Sequence, residues 1–433
     1  MLMLIDSIVN ATFPSLVRDT IIARSGIERA IWVAILVGML ATIFSISILQ
    51  LALGFLTVFL LISFRSGSQE TLRLTPLDIP MLAFIAARIL SIFFSVDPQT
   101  SVQALYIEIV FYAVFFVFTN TVRVENESEM NVLVRAFVWT AIVASAVGIF
   151  KFAAGISPRA SSTTSGAYTF SLYLTVVLPF ILFLSRDRRM FRTSMHAHVA
   201  AAILILGVIF SLDRMYWVVV AVTLIAAAIL NRERRPLVIY VFGMAILVLV
   251  VPSVAHRFQL ILELPSHSSD RNVIWQGAAM IYTRHPFVGF GPRTFREVFP
   301  LMQQLADKGT SSWHNDFLQI YMESGLLGLI PLCWLVAAAL YWGARTLRSP
   351  ALAPQSRKLL MPFMFSILIF VFAGGMRDTV VGVVFRFDLA VIALVAARTE
   401  GGNSRAERYV NSELPALARR FRYRHVSRPK LQS

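Results

Sequence analysis

Residues 30–64 read AIWVAILVGMLATIFSISILQLALGFLTVFLLISF, bounded by Arg29 and Arg65, with no charge between them. A helix crossing a hydrocarbon layer of about 30 Å needs about 20 residues. The stretch is too long for one crossing and suits two. A split near Gln50 makes it a hairpin that enters and leaves a bilayer.

The same pattern recurs along the chain. Apolar blocks at about 77–96, 102–121, 131–153, 168–185, 197–212, 215–230, 237–255, 317–342, 359–376 and 380–397 predict an all-α, polytopic transmembrane bundle of about twelve spans. The 433 residues are 57% apolar and only 15% charged, against about 45 to 50% and 25% in soluble domains. These proportions exclude a soluble globule.

The net charge of +15 comes from 39 Lys plus Arg against 24 Asp plus Glu, and in a soluble protein it would point to nucleic acid. Position explains it better. Arg186, Arg188, Arg189 and Arg192 share one connector, Arg232, Arg234 and Arg235 another, and Arg345, Arg348, Arg357 and Lys358 a third. With twelve spans these connectors and the basic tail fall on one side, which the positive-inside rule makes cytoplasmic. The expected organisation is a cytoplasmic segment 1–29, spans one to nine over 30–255, an outer loop 256–316, spans ten to twelve over 317–397, and a cytoplasmic tail 398–433. The N-terminal segment does not read as a signal peptide and is expected to be retained. The single cysteine, Cys333, lies in an apolar block, so neither a disulfide framework nor a Cys metal site is expected.

The loop 256–316 is the only long connector, and a loop of that size is usually functional or disordered. Its composition predicts order. From Asp270, read as an N-cap, Ile274, Trp275, Ala278, Ile281 and Tyr282 recur at helical spacing until His285-Pro286, which predicts a helix lying on the membrane surface. Gly289-Phe290-Gly291-Pro292 is a turn signal. The chain then re-enters through Ser311-Ser312-Trp313-His314-Asn315-Asp316, with Asn315 or Asp316 as cap and Trp313 at the interface.

Asn315, Gln319 and Glu323 are spaced by four and form a polar stripe on one helix face, with Asp316 beside it. A carboxylate at Glu323's depth marks either a functional cavity or interhelical hydrogen bonds. His314 alone reads more readily as structural than as catalytic. Arg159, Arg271 and Arg214 lie on the outer side against the positive-inside trend. Each could be a headgroup contact. Together, near a loop carrying His314, they suggest an anionic substrate, because guanidinium donors match phosphate oxygens. Arg88 and Glu108 lie about ten residues either side of Asp97-Pro98 and are expected to pair in the membrane. Arg386 and Asp388 are two positions apart and should point different ways.

The run His314-Asn315-Asp316-Phe317-Leu318-Gln319, followed by Glu323-Ser324-Gly325-Leu326-Leu327-Gly328-Leu329, resembles the signature of the O-antigen ligase and O-antigen polymerase superfamily of bacterial envelope proteins. Arg271, Trp275 and the run from His285 to Pro292 resemble the stretch that precedes it. The resemblance implies glycosyl transfer at the periplasmic face of the inner membrane, with no metal, cofactor or nucleotide sugar. The implied partners are a lipid-linked oligosaccharide donor on undecaprenyl diphosphate, a glycan acceptor and the bilayer, with chain-length regulator and flippase proteins as further candidates and no nucleic acid.

Carried onto this chain, the resemblance makes Arg159 and Arg271 diphosphate ligands, with Arg214 beside them, and His314 the group that assists the acceptor hydroxyl. Asn315, Asp316, Gln319 and Glu323 would support it. Two departures stand out: Ala167-Tyr168-Thr169 replaces an Asn-containing pattern, and Asp213-Arg214 replaces Ser-Arg. Polymerisation of exopolysaccharide or O-antigen repeats is favoured over ligation to lipid A core. From other classes, a secondary transporter or flippase and a non-catalytic scaffold stay open; Gly325, Gly328 and Pro331 would suit a transporter's broken helix.

Overall fold

The computed structural model describes residues 26–65, 73–122, 127–163, 166–262, 271–308, 312–350, 352–376 and 381–399. The expected N-cap Asp270, nearly all of the N-terminal segment and the tail beyond Thr399 lie outside these residues. Among the described residues every regular element is helical. The helices are α1 (Gly26–Ala41), α2 (Ile46–Arg65), α3 (Asp78–Ile92), α4 (Pro98–Thr121), α5 (Glu127–Ala153), α6 (Ala167–Phe183), α7 (Ser194–Phe210), α8 (Arg214–Leu230) and α9 (Arg235–Val250). They continue with α10 (Pro252–Leu262), α11 (Arg271–Ile281), the short α12 (Phe295–Val298), a 3₁₀ turn (Met302–Lys308), α13 (Asp316–Arg348), α14 (Pro354–Ala373) and α15 (Val381–Thr399).

Each of the apolar blocks is thus helical, but the hairpin over residues 30–64 turns at residues 42–45 and not near Gln50, which lies inside α2. Glu129–Ala153, Asp316–Arg348 and Pro354–Ala373 have the length and apolar composition of a membrane crossing by themselves. The 17-residue α6, α7 and α8 stand at the short end of the range of about 17 to 25 residues for a span. α6 and α15 are buried on every face, from Phe170 to Leu182 and from Val381 to Ala396, although α15 carries Arg386 and Asp388 among its apolar residues. α9 has no buried residue and lies at the periphery.

Contacts between connectors form two sets. In the first, Thr163 donates to Phe44 O (2.8 Å), Ala160 N–H to Phe210 O (2.8 Å), Val96 N–H to Phe290 O (2.9 Å) and Tyr168 OH to Ala373 O (3.0 Å). In the second, Arg73 donates to Val122 O (2.8 Å), Asn231 to Leu182 O (2.9 Å) and Gln355 to Asp187 (2.7 Å), and Arg186 pairs with Glu233 (2.5 Å). The first set joins odd-numbered connectors of the expected span order and the second joins even-numbered ones. Those carrying Arg186 to Arg192, Arg232 to Arg235, and Arg357 belong to the second set.

The structure corrects three readings of the long loop. Span nine ends at Val250, where Pro252 starts α10 at 102° to α9, so an amphipathic helix precedes α11. The apolar stripe of α11 is split: Ile274, Ala278 and Ile281 enter a small core of the loop with Phe290, Phe295, Phe299 and Leu305, while Trp275 and Tyr282 stay exposed. Trp313 is 1% exposed and packs edge-on against Phe295 and Phe299 at 4.8 and 5.7 Å. The loop carries enough apolar side chains to build its own core, and that core claims Trp313 before any interface can.

Candidate active site

α13 is broken inside its regular run. Gly325 has φ +58 and ψ −156, a combination open essentially to glycine alone. The backbone groups freed by the break are taken by the segment after α11: Phe290 and Gly291 N–H donate to Met322 and Glu323 O (2.8 and 2.9 Å), and Leu326 and Leu327 N–H to Pro286 and Phe287 O (2.8 and 2.9 Å). The approach is so close that a Cβ on Gly289 would lie 2.4 Å from Glu323 C and one on Gly325 2.3 Å from Phe287 C. The glycines read as a turn signal therefore serve backbone docking. Irregular backbone is tolerated at membrane depth only where protein or water satisfies it.

Below the docking seam lies a buried polar network. Arg88 Nη2 stands 2.9 Å from Glu108 Oε1 and 2.8 Å from Glu323 Oε2, and its Nη1 donates to Ser324 Oγ at 2.8 Å. Tyr112 OH donates to Glu108 (2.6 Å), and the Tyr112 ring faces the Arg386 guanidinium at 5.2 Å. Arg386 also donates to Gly382 O (2.7 Å) and Met376 O (3.1 Å). Asp388 instead takes the Ser366 hydroxyl, so the two do point apart. The expected Arg88–Glu108 pair is present, and it has a third charged member that spacing did not reveal.

Glu323 leads back toward the outer end. Gln319 Nε2 donates to its Oε1 at 2.5 Å, and Gln319 Oε1 accepts the Trp313 N–H at 2.7 Å. Asn315 is the N-cap, accepting from Leu318 N–H at 3.0 Å. Asp316 in the first turn accepts the Met376 N–H at 2.7 Å. Between these anchored neighbours His314 is exposed, with φ +52. A non-glycine residue there costs about 1 to 2 kcal/mol and persists where its surroundings determine it.

The arginines gather around Asp213. Arg159 Nη2 lies 3.9 Å from Asp213 Oδ2, its Nε donates to Ser211 O at 2.5 Å, and its side chain keeps 38% exposure. Arg271 reaches Met215 Sδ at 4.0 Å. Burial holds the Asp213 carboxyl above its ordinary range, although Arg159, Arg271 and Arg214 all pull it down. Burial lowers Arg159 despite Asp213, and Arg257 of α10 adds a like charge. Several guanidiniums around one carboxylate leave a positive locus, the electrostatic requirement of an anion site.

Tyr168 connects this locus with the start of α13. Its hydroxyl holds Ala373 O, three residues from the Met376 that Asp316 caps, and its ring packs on Tyr216 at 5.6 Å. The structure thus brings Arg159, Arg214 and Arg271 together and sets Gln319 and Glu323 in a separate cluster with Arg88. Asp213 and Arg257 did not stand out in sequence as site residues. Asp213 showed only as the departure before Arg214, and Arg257 required recognising α10. Among the described residues no three His, Cys, Asp or Glu side chains are grouped as metal ligands would be.

A family model described as O-antigen ligase matches residues 199–333, from α7 into α13. No curated relative matches the chain. The matched stretch holds Arg214, Arg271, the docking segment and His314 in one run, and Arg159 lies upstream of it. The match over residues 199–333 supports the resemblance to the O-antigen ligase and polymerase superfamily.

Proposed function

We propose that the protein crosses the bacterial inner membrane about twelve times with both termini cytoplasmic, and that it transfers a glycan from undecaprenyl diphosphate to an acceptor sugar hydroxyl at the periplasmic face, polymerising exopolysaccharide or O-antigen repeats. The observation carrying this reading is the arginine locus at Asp213 on the same end of the bundle as His314. The acceptor oxygen attacks the anomeric carbon as the bond to the diphosphate oxygen breaks. The departing lipid diphosphate keeps that electron pair, and the hydroxyl proton passes to neutral His314. Arg159, Arg214 and Arg271 face the charge that builds on the leaving oxygen, worth about 3 to 4 kcal/mol per well-placed donor. A neutral imidazole contributes about 10² to 10⁴ in rate.

The donor's lipid character is supported by an apolar groove of about 290 Å³ between α7, α8 and α9, lined by Ile209, Trp217, Val220, Leu224, Tyr240 and Met244. Trp217 lies one turn from Arg214, so a prenyl tail in the groove would present its diphosphate to the arginines. A transporter's broken helix lines a passage, whereas the break at Gly325 is filled by residues 286–291.

Purified protein given a lipid-linked oligosaccharide should extend it. His314→Ala should stop turnover and keep carrier binding, and Arg271→Lys should weaken both, since an ammonium cannot reproduce the guanidinium fork. Donor moved across the bilayer without transfer would refute the enzyme reading. In a deletion strain, single repeats still attached to their acceptor mark a polymerase, and a carrier-linked polymer stranded short of the lipid A core marks a ligase.

A further inference from the structure

We infer that Gln319 is a positioning residue for His314, held in register by the buried ions of α3, α4 and α15; this rests on the reading of His314 as the proton acceptor. His314 occupies a strained backbone conformation between two tethered neighbours. On one side, the Trp313 N–H is fixed by Gln319, whose other amide end is fixed by Glu323. On the other, Asp316 is fixed to Met376. The two tethers belong to one circuit. From Glu323 it runs through Arg88 and Glu108 to Tyr112, crosses to Arg386 and returns through Met376.

The amide at position 319 has a specific task in this circuit. It must accept from Trp313 and donate to a carboxylate at once, which Gln does and neither an ionised Glu nor Leu can. The buried charge at Glu323 then has a use beyond helix packing: it selects the amide orientation that presents an acceptor to Trp313. Displacement of a catalytic group by 1 Å can cost about 10²-fold in rate.

The test compares Gln319→Leu, Gln319→Glu and the exchange Gln319→Glu with Glu323→Gln, measuring kcat, donor KM and thermal midpoint in the purified full chain, with His314→Ala alongside. Gln319→Leu should lose about 10- to 100-fold in kcat with donor KM unchanged. Gln319→Glu should lose as much, because two carboxylates then face each other. The exchange restores a donor and an acceptor in reversed order, leaves Arg88 its partner Glu108, and should recover most of kcat. A folded Gln319→Leu with full kcat, or an exchange no better than Gln319→Glu, overturns the positioning role. Parallel loss of kcat and donor binding in Gln319→Leu overturns it too, since that marks a general collapse. Wild-type turnover in His314→Ala removes the histidine reading and this one with it, whereas an inactive His314→Ala beside a fully active Gln319→Leu removes only the positioning role.

Discussion

The guanidinium of Arg88 on α3 lies 2.8 Å from the carboxylate of Glu323 on α13 while also holding Glu108 on α4, so one buried cation ties the break in α13 to the hairpin α3–α4. Removing one member of a buried ion group costs about 3 to 5 kcal/mol because the others are left uncompensated. Arg88→Met should therefore reduce folded yield sharply. Adding Glu108→Gln should recover part of it, though less than in an isolated pair, since Glu323 still lacks its cation; full additivity of the two losses in a double-mutant cycle would show that they do not interact.

Gly289 and Gly325 face each other across the docking seam, both with positive φ and both within 2.4 Å of opposing backbone once a Cβ is added. Either residue changed to Ala should cost about 1 to 3 kcal/mol from backbone strain alone, with the clash in addition. Gly54→Ala, where nothing lies within 4 Å, is the control and should match or exceed wild type. Thermal unfolding in detergent separates the two cases, and a tolerant Gly325→Ala would contradict the seam.

Asp213 competes with any anion for the surrounding arginines. Asp213→Asn should bind inorganic pyrophosphate more tightly by about 1 kcal/mol, roughly fivefold, with the gain shrinking at high salt. Isothermal titration at low and high ionic strength reads both, and weaker binding in the variant would place the anion elsewhere.

The same carboxyl gives a stability test. Its folded pKa is raised above the ordinary 3.8, so it weakens the folded state once pH climbs through that value and is neutral below it. Asp213→Asn should be at least as stable as wild type at pH 7, and the difference should fade as pH falls below about 4. A variant less stable at pH 7, measured by thermal midpoint, would mean that the attraction to the arginines outweighs burial.

Topology has a direct readout. Reporter fusions after Asp307 and at the C-terminus should give opposite compartment signals, and fusions after Arg189 and Arg234 should agree with the C-terminal one. Like signals from Asp307 and the C-terminus would defeat the twelve-span arrangement.

Hydropathy periods and charge placement are local properties, and the sequence by itself determined what depends on them: the helical blocks, the presence of a hairpin over residues 30–64 and the Arg88–Glu108 pairing at matched depth about Asp97-Pro98, whereas the turn at residues 42–45 and the choice of Asn315 over Asp316 as cap came from the structure. The His314 run and Arg271 were legible as a signature for the same reason, being contiguous or nearly so. What only the tertiary structure decided depends on contacts between segments far apart in the chain. Trp313 could not be known to leave the interface until Phe295 and Phe299 offered it a core. Glu323 could not be assigned to Arg88, 235 positions away, from a spacing that shows only its own helix face. Gly289 and Gly325 look like a turn residue and a helix breaker one by one. Only their close approach, which leaves no room for a Cβ on either side, shows that residues 286–291 complete the broken helix.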